Sequence, residues 1–264
     1  VPLAFYAGGR RFEPCRTRKG LMNCSFMRLT LPVLLVASLA APSAVQTTAT
    51  TRPDAQRMDE VVRFYADDPQ QAFMGAVLVA RGADVLFARG YGMANLEWSV
   101  PNTTTTRFAI GSLSKQFTAA AILLLEERGK LRVTDPIKSY FPDAPAAWDA
   151  ITFHHLWPHT SEMTPGTPPG PTGALPARPE RTIERFRNLP LQSPPGANYS
   201  YSNAGYQLLA YLIERTSGQR YEDFLRTNIF EPLGMKESGS ATHAPIIPAR
   251  ASGYIRPGGA LVHA

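Results

Sequence analysis

The sequence predicts a mixed α/β chain of the α+β type, on three observations. Runs of β character sit at 76–80 and 85–88, joined by a turn-like Arg81-Gly82-Ala83-Asp84. Segments of helical periodicity follow them and fill the middle of the chain. Between the first two of those helices lies a stretch too rich in proline for a regular element: 164–179 holds six prolines and three glycines.

Taken in order, residues 53–65 carry Met58, Val61, Val62 and Tyr65 at helical spacing. The two β runs then form a hairpin, and Phe108-Ala109-Ile110 is a short strand-like approach to Gly111. From Ser112 the period becomes helical, with Phe117, Ala120, Ala121, Leu124 and Leu125 as the apolar stripe and Gly129 as the closing glycine. A second helix is expected from about Gly205 to Thr216, closed by Gly218, with Leu208, Leu209, Leu212 and Ile213 facing inward. A third covers roughly 221–229, ahead of Pro232 and Gly234. The strand count is low for a closed sheet.

The 264 residues allow one large domain or two small ones. The formal charge of +6 does not point to nucleic acid, because it is concentrated at the start. Six basic residues and one acid precede Val45, which leaves 21 basic against 20 acidic residues and no basic stripe. Both cysteines, Cys15 and Cys24, also lie there, so the remainder offers no disulfide, no thiolate zinc site and no cysteine nucleophile. Met27-Arg28, an apolar run from Leu29 to Ala41 and small residues at Ala40, Ala41 and Ala44 read as a secretory signal over 27–44. That run falls short of the roughly 20 apolar residues that span a bilayer, so no stable membrane insertion is expected after cleavage. Residues 1–26 are set aside as an upstream extension. An exported protein, periplasmic or secreted, is the expectation, and arginine outnumbering lysine 22 to 5 suits a GC-rich bacterial source.

The chemistry begins at Ser112-Leu113-Ser114-Lys115. A serine needs an adjacent base to attack, and a lysine one turn along the same helix face can reach its hydroxyl. A lysine serves as that base when burial and a neighbouring dipole lower its pKa. The start of a helix also offers N–H groups to developing negative charge. Such a tetrapeptide arises by accident in about one chain of this composition in four. The second pattern is Tyr201-Ser202-Asn203. A phenol beside a lysine can take and return a proton, and an asparagine can both donate to and accept from a substrate amide. The plainer alternative is a tyrosine packed at a helix start with Asn203 as its N-cap.

The surrounding residues resolve the two patterns into one. Asn95 to Pro101, Arg107 to Ser112, Gly129-Lys130-Leu131 with Asp135-Pro136-Ile137, Pro195 to Tyr206, and Phe230 to Met235 occur in that order. Together the chain resembles the class C β-lactamase-related serine hydrolases of the β-lactamase and penicillin-binding-protein superfamily, from about Gly75 to Tyr254. The resemblance implies a β-lactamase/transpeptidase-like fold, an antiparallel sheet with flanking helices plus a helical subdomain, over residues 45–264. It implies an acyl-enzyme on Ser112, proton transfer shared by Lys115 and Tyr201, and Asn203 orienting substrate and Lys115. No metal and no cofactor are implied. The substrate would be a β-lactam, a D-Ala-D-Ala peptide of peptidoglycan type, or an ester.

Two departures stand out. The family's segment of leucine-leucine-threonine-histidine-threonine-serine-glycine corresponds to Leu156 to Glu162, where Pro158 and Glu162 replace the threonine and the glycine. A left-handed turn there would put Glu162 under strain. His159 in the same segment reads as a packed, hydrogen-bonded histidine and not a base. The third family motif, Lys-Thr-Gly or His-x-Gly on a strand, does not occur in these 264 residues. The sheet is therefore expected to be incomplete, with exposed apolar surface and unpaired edges, and the chain to correspond to a C-terminally truncated enzyme of little activity. The competing reading is a non-catalytic fragment or a cell-wall-binding relative.

Overall fold

The computed structural model describes residues 5–6, 52–68, 73–163, 179–240 and 246–263. The proposed signal at 27–44 and most of the proline-rich stretch lie outside the described residues. The fold is α/β, as the sequence predicts, and its two kinds of element differ sharply in how they are packed.

Helix α1 (Arg52–Ala66) precedes a hairpin of β2 (Gly75–Arg81) and β3 (Asp84–Tyr91), numbered after a short β1 (Phe5–Tyr6). The hairpin is antiparallel, pairs Gly75 with Tyr91 and slips register once between Val79 and Ala80. The turn falls where Gly82 adopts φ +59°. Short strands β4 (Met93–Asn95) and β5 (Val100–Pro101) pair next, and β7 (Tyr254–Ile255) pairs with β8 (Val262–His263) near the end of the chain. Strand β1 pairs with β6 (Gly239–Ser240), which brings Phe5 and Tyr6 of the set-aside extension against the folded region. All these pairs are antiparallel, and each is a separate two-stranded unit among the described residues.

Phe108 to Ile110, expected as a strand, is not one. Only Arg107 bridges, to Arg250: its N–H donates to the Ala249 carbonyl and its carbonyl accepts from Ala251, both at 2.9 Å. The segment around 250 continues along β4, where Ser252 N–H donates to the Ala94 carbonyl. Its ladder partner is thus a late loop, a pairing that local periodicity does not encode.

The core belongs to the helices. α2 (Lys115–Glu127), the short α3 (Phe153–Leu156), α4 (Pro179–Glu184), α5 (Asn203–Ser217) and α6 (Tyr221–Leu225) enclose one apolar cluster running from Ala121 to Phe230. In α2 the buried positions are Thr118, Ala121, Ile122 and Leu125, while Phe117, Ala120 and Leu124 pack partly buried beside them. The inward stripe is thus turned by about one position from the expected one, and Phe117 instead meets Phe230 edge-on at 5.3 Å. α5 is buried from Ala204 to Ile213 except at the half-buried Gln207, not along one stripe. A helix apolar all round is a central helix, and α2, α4 and α6 surround it. Gly218, in the left-handed region at φ +72°, closes it as predicted. α6 passes into one π-helical turn over Arg226–Phe230, which completes the third expected helix.

Candidate active site

Two short segments, 112–115 and 201–203, supply the candidate reactive groups. The first is shaped by Gly111, whose φ of +53° lets the chain turn sharply before the serine. A 3-10 turn over Gly111–Ser114 then leads into α2. In a 3-10 turn, side chains three apart eclipse one another, so Ser112 and Lys115 are aligned more closely than in an α-helix. Lys115 Nζ donates to Ser112 Oγ at 3.1 Å. Ser114 points away into the protein, where its hydroxyl donates to the Gly111 carbonyl at 2.7 Å and pins the turn.

The second segment enters α5. Its N-cap is Ser202, whose hydroxyl accepts from Gly205 N–H at 3.1 Å. Asn203 is not the cap that the plainer alternative made it. Relieved of that task, its Oδ1 accepts from Lys115 Nζ at 2.9 Å. Tyr201, one residue before the cap, places its hydroxyl 2.6 Å from Ser112 Oγ. Lys115 Nζ lies 4.8 Å from the centre of the Tyr201 ring and 5.3 Å from that of Tyr206. All four sequence-predicted residues therefore meet in one cluster. Ser112, Tyr201 and Asn203 are exposed, so the cluster opens to solvent.

The electrostatics favour the phenolate form of Tyr201. Burial raises its pKa, but hydrogen bonds from Lys115 and Ser112 and the Lys115 charge outweigh it, and the phenol sits below its ordinary 10.0. Tyr206 moves the other way: burial, then the nearby Tyr201, raises it. It stays a phenol and donates to the Trp157 carbonyl at 2.9 Å, fixing the first turn of α5.

The segment 159–162 underlies the tyrosine loop and carries what sequence reasoning undervalued. His159 and Glu162 are both left-handed, at φ +62° and +59°. The strained turn expected at Glu162 is thus present, and Glu162 is 2% exposed. Its carboxylate accepts from Asn198 N–H at 2.6 Å and its carbonyl from Gln192 N–H at 2.9 Å. Thr160 accepts from Gly196, and His159 accepts from both Ser200 and Ser202. The loop that carries Tyr201 is laid along this turn bond by bond. The replacement of a family glycine by Glu162 hinted at it. Among the described residues, no group of three or more histidines, cysteines or carboxylates is placed to hold a metal ion.

Comparison with known proteins identifies the family. The Beta-lactamase family matches residues 48–263. The penicillin-binding protein PbpX of Bacillus subtilis (strain 168) is 34% identical over 182 residues, covering 69% of this chain and 45% of its own length. A D-aminopeptidase of Gluconobacter oxydans (strain 621H) is 31% identical over 188 residues, 68% of this chain and 35% of that protein. In three dimensions the penicillin-binding protein from Bacillus halodurans superposes with a TM-score of 0.69 at 32% identity, over 76% of this chain and 63% of that one. The chain thus spans less than half the length of these two curated relatives. It belongs to the Beta-lactamase family, with a β-lactamase/transpeptidase-like fold.

Proposed function

We propose that this chain carries the acylating centre of a serine hydrolase, with Ser112 as nucleophile and an acyl-Ser112 intermediate. The observation that supports it is the 2.6 Å approach of Tyr201 to Ser112 Oγ, with Lys115 bonded to both Ser112 and Asn203. Tyr201, held toward the phenolate by the Lys115 cation, takes the serine proton as Oγ attacks the substrate carbonyl carbon. The tetrahedral intermediate collapses, and the same proton passes from Tyr201 to the leaving amine or alkoxide. Water then attacks the acyl-serine with Tyr201 again as base, which returns Ser112. Asn203 fixes the Lys115 ammonium and offers its amide N–H₂ to substrate. The start of α2 places the Ser112 N–H among the groups that meet the developing oxyanion.

The substrate class is an acyl compound attacked at a carbonyl: a β-lactam, a D-Ala-D-Ala peptide of peptidoglycan type or an ester. The names of the relatives support that range. Export is part of the same reading, from residues 27–44, and no described helix is long and apolar enough to cross a membrane.

Labelling of the 264-residue chain with a fluorophosphonate and with a fluorescent penicillin tests the proposal. Covalent label on Ser112, lost in Ser112→Ala, is expected. No label with either probe at any pH between 6 and 10 would overturn it and favour the non-catalytic reading. A panel of nitrocefin, p-nitrophenyl esters and D-Ala-D-Ala peptides then ranks the substrates.

A further inference from the structure

Tyr201 is flanked by a residue outside the four candidate groups. His159 accepts from Ser200 N–H through its carbonyl at 2.8 Å and from Ser202 N–H through Nδ1 at 3.1 Å. One side chain and its own carbonyl therefore hold the backbone immediately before and immediately after Tyr201. Its ring also lies on the Tyr201 ring, centroids 4.5 Å apart and planes 33° apart, and against Tyr206 at 5.1 Å and 40°. Tyr199 meets it edge-on at 5.9 Å. The backbone accepts a left-handed φ of +62° to put the imidazole there, and His159 N–H donates to the Leu156 carbonyl at the end of α3.

We infer that His159 is a positioning residue, whose neutral imidazole sets Tyr201 and Asn203 about Ser112 and whose protonation disassembles the site. The inference rests on the reading of Ser112 as nucleophile and Tyr201 as its base. Nδ1 accepts a main-chain N–H, so the neutral ring carries its proton on Nε2. A second proton would have to sit on Nδ1, facing Ser202 N–H, and the bond would become a clash of two donors. Ser202 is the cap of α5, so Asn203 would lose its placement with Tyr201.

The groups that face the imidazole act unequally on that proton. Lys115 from α2 is the charge that opposes it; Tyr206 from α5 and Tyr199 and Tyr201 from the loop pack against the ring, and the Glu162 carboxylate of the same turn, whose charge would favour the proton, is engaged by Asn198 N–H. Burial, then the Lys115 charge, lowers the His159 pKa below its ordinary 6.5. The site is therefore assembled at neutral pH and is lost as pH falls below that value.

The test compares the full chain with His159→Asn and His159→Ala. Asparagine keeps an acceptor where Nδ1 stands, tolerates a left-handed φ and does not titrate. In the parent, the fluorophosphonate labelling rate falls with a midpoint below pH 6.5. His159→Asn labels at close to the parent rate at pH 7.5 and lacks that midpoint, while His159→Ala labels at least about tenfold more slowly. An unchanged acid midpoint in His159→Asn, or parent-rate labelling in His159→Ala, overturns the inference. Tyrosine-ring ¹³C NMR reads the same placement without turnover, with Tyr201→Phe to assign its signal. Tyr201 titrates higher in His159→Ala than in the parent if the imidazole positions it, and an unmoved titration overturns the inference even if nothing labels. Complete absence of labelling in the parent instead sinks the proposed function, so the two failures are told apart.

Discussion

The helical part and the strand part of this protein are built to different standards. Every residue of the apolar cluster lies between Ala121 and Phe230, where Trp148, Phe153, Leu208, Leu209 and Phe224 are closed to solvent. In the β2–β3 hairpin, by contrast, Leu78 is 51% exposed and Val85 45%, and Trp98 beside β5 is 82% exposed. An antiparallel pair with one face open needs a partner layer to become independently stable, whereas a packed helical cluster does not. The contrast explains why the candidate site is well formed. Lys115, Tyr201 and Asn203 hang from α2 and α5, so they draw their rigidity from the packed part.

The largest effect should come from cutting that core. Phe153 is fully buried and meets Tyr140 edge-on at 5.3 Å, so Phe153→Ala should cost about 3–5 kcal/mol. Leu78→Ala, on the open face, should cost under about 0.5 kcal/mol. Urea melts followed by circular dichroism check both. Comparable losses would mean that the strand face is covered in solution, and the contrast would collapse.

A middle-sized effect is expected at the border, in the turn beneath the tyrosine loop. Glu162→Gly relieves a left-handed side chain, worth roughly 1–2 kcal/mol, and removes a charge-assisted bond to Asn198 N–H, worth about 1.5–3 kcal/mol. Glycine also adds about 0.5–1 kcal/mol of unfolded-chain entropy. Net destabilisation of about 1 kcal/mol follows, with slower labelling of Ser112. A more stable Glu162→Gly with unchanged labelling would show that the carboxylate braces nothing.

The smallest effect belongs to the strand part. Asp59 of α1 accepts from Tyr91 of β3 at 2.7 Å and from Arg89 at 2.8 Å, and the Tyr91 bond leads in holding the carboxyl below its ordinary 3.8. A carboxyl lowered on folding stabilises above its ordinary pKa, and that contribution fades as pH falls through the lowered value. Thermal midpoints between pH 5 and pH 2.5 should therefore drop slightly less in Asp59→Asn than in the parent. Equal slopes would remove this polar latch between α1 and the hairpin.

Much of this was legible beforehand, and the gaps have physical causes. Helix limits at Gly129 and Gly218 followed from apolar spacing and a terminal glycine, because both signals are local. The Ser112–Lys115 and Tyr201–Asn203 pairings were legible as motifs, though their meeting point depends on how α2 packs on α5. Strands of two or three residues, such as β4 and β7, leave no alternation to read. Phe108 to Ile110 looked like a strand, but the chain pairs only at Arg107, with a loop more than a hundred residues later. Residue type alone left Asn203 as an alternative cap, since Ser and Asn both suit that position, and the structure gives the cap to Ser202. His159 was legible as a packed, hydrogen-bonded histidine, but its grip on both sides of Tyr201 was not, since nothing in composition tells which backbone groups a buried imidazole meets.

The atoms proposed to react come from two stretches totalling seven residues, each leading into a helix that touches the other. Reaction and recognition are thereby uncoupled. Loops elsewhere around Ser112 can lengthen, shorten or change polarity while the proton path from Ser112 to Tyr201 stays intact. On the proposed function, a lineage built this way can acquire a new acyl partner by changing its surface loops, without first losing the ability to cleave.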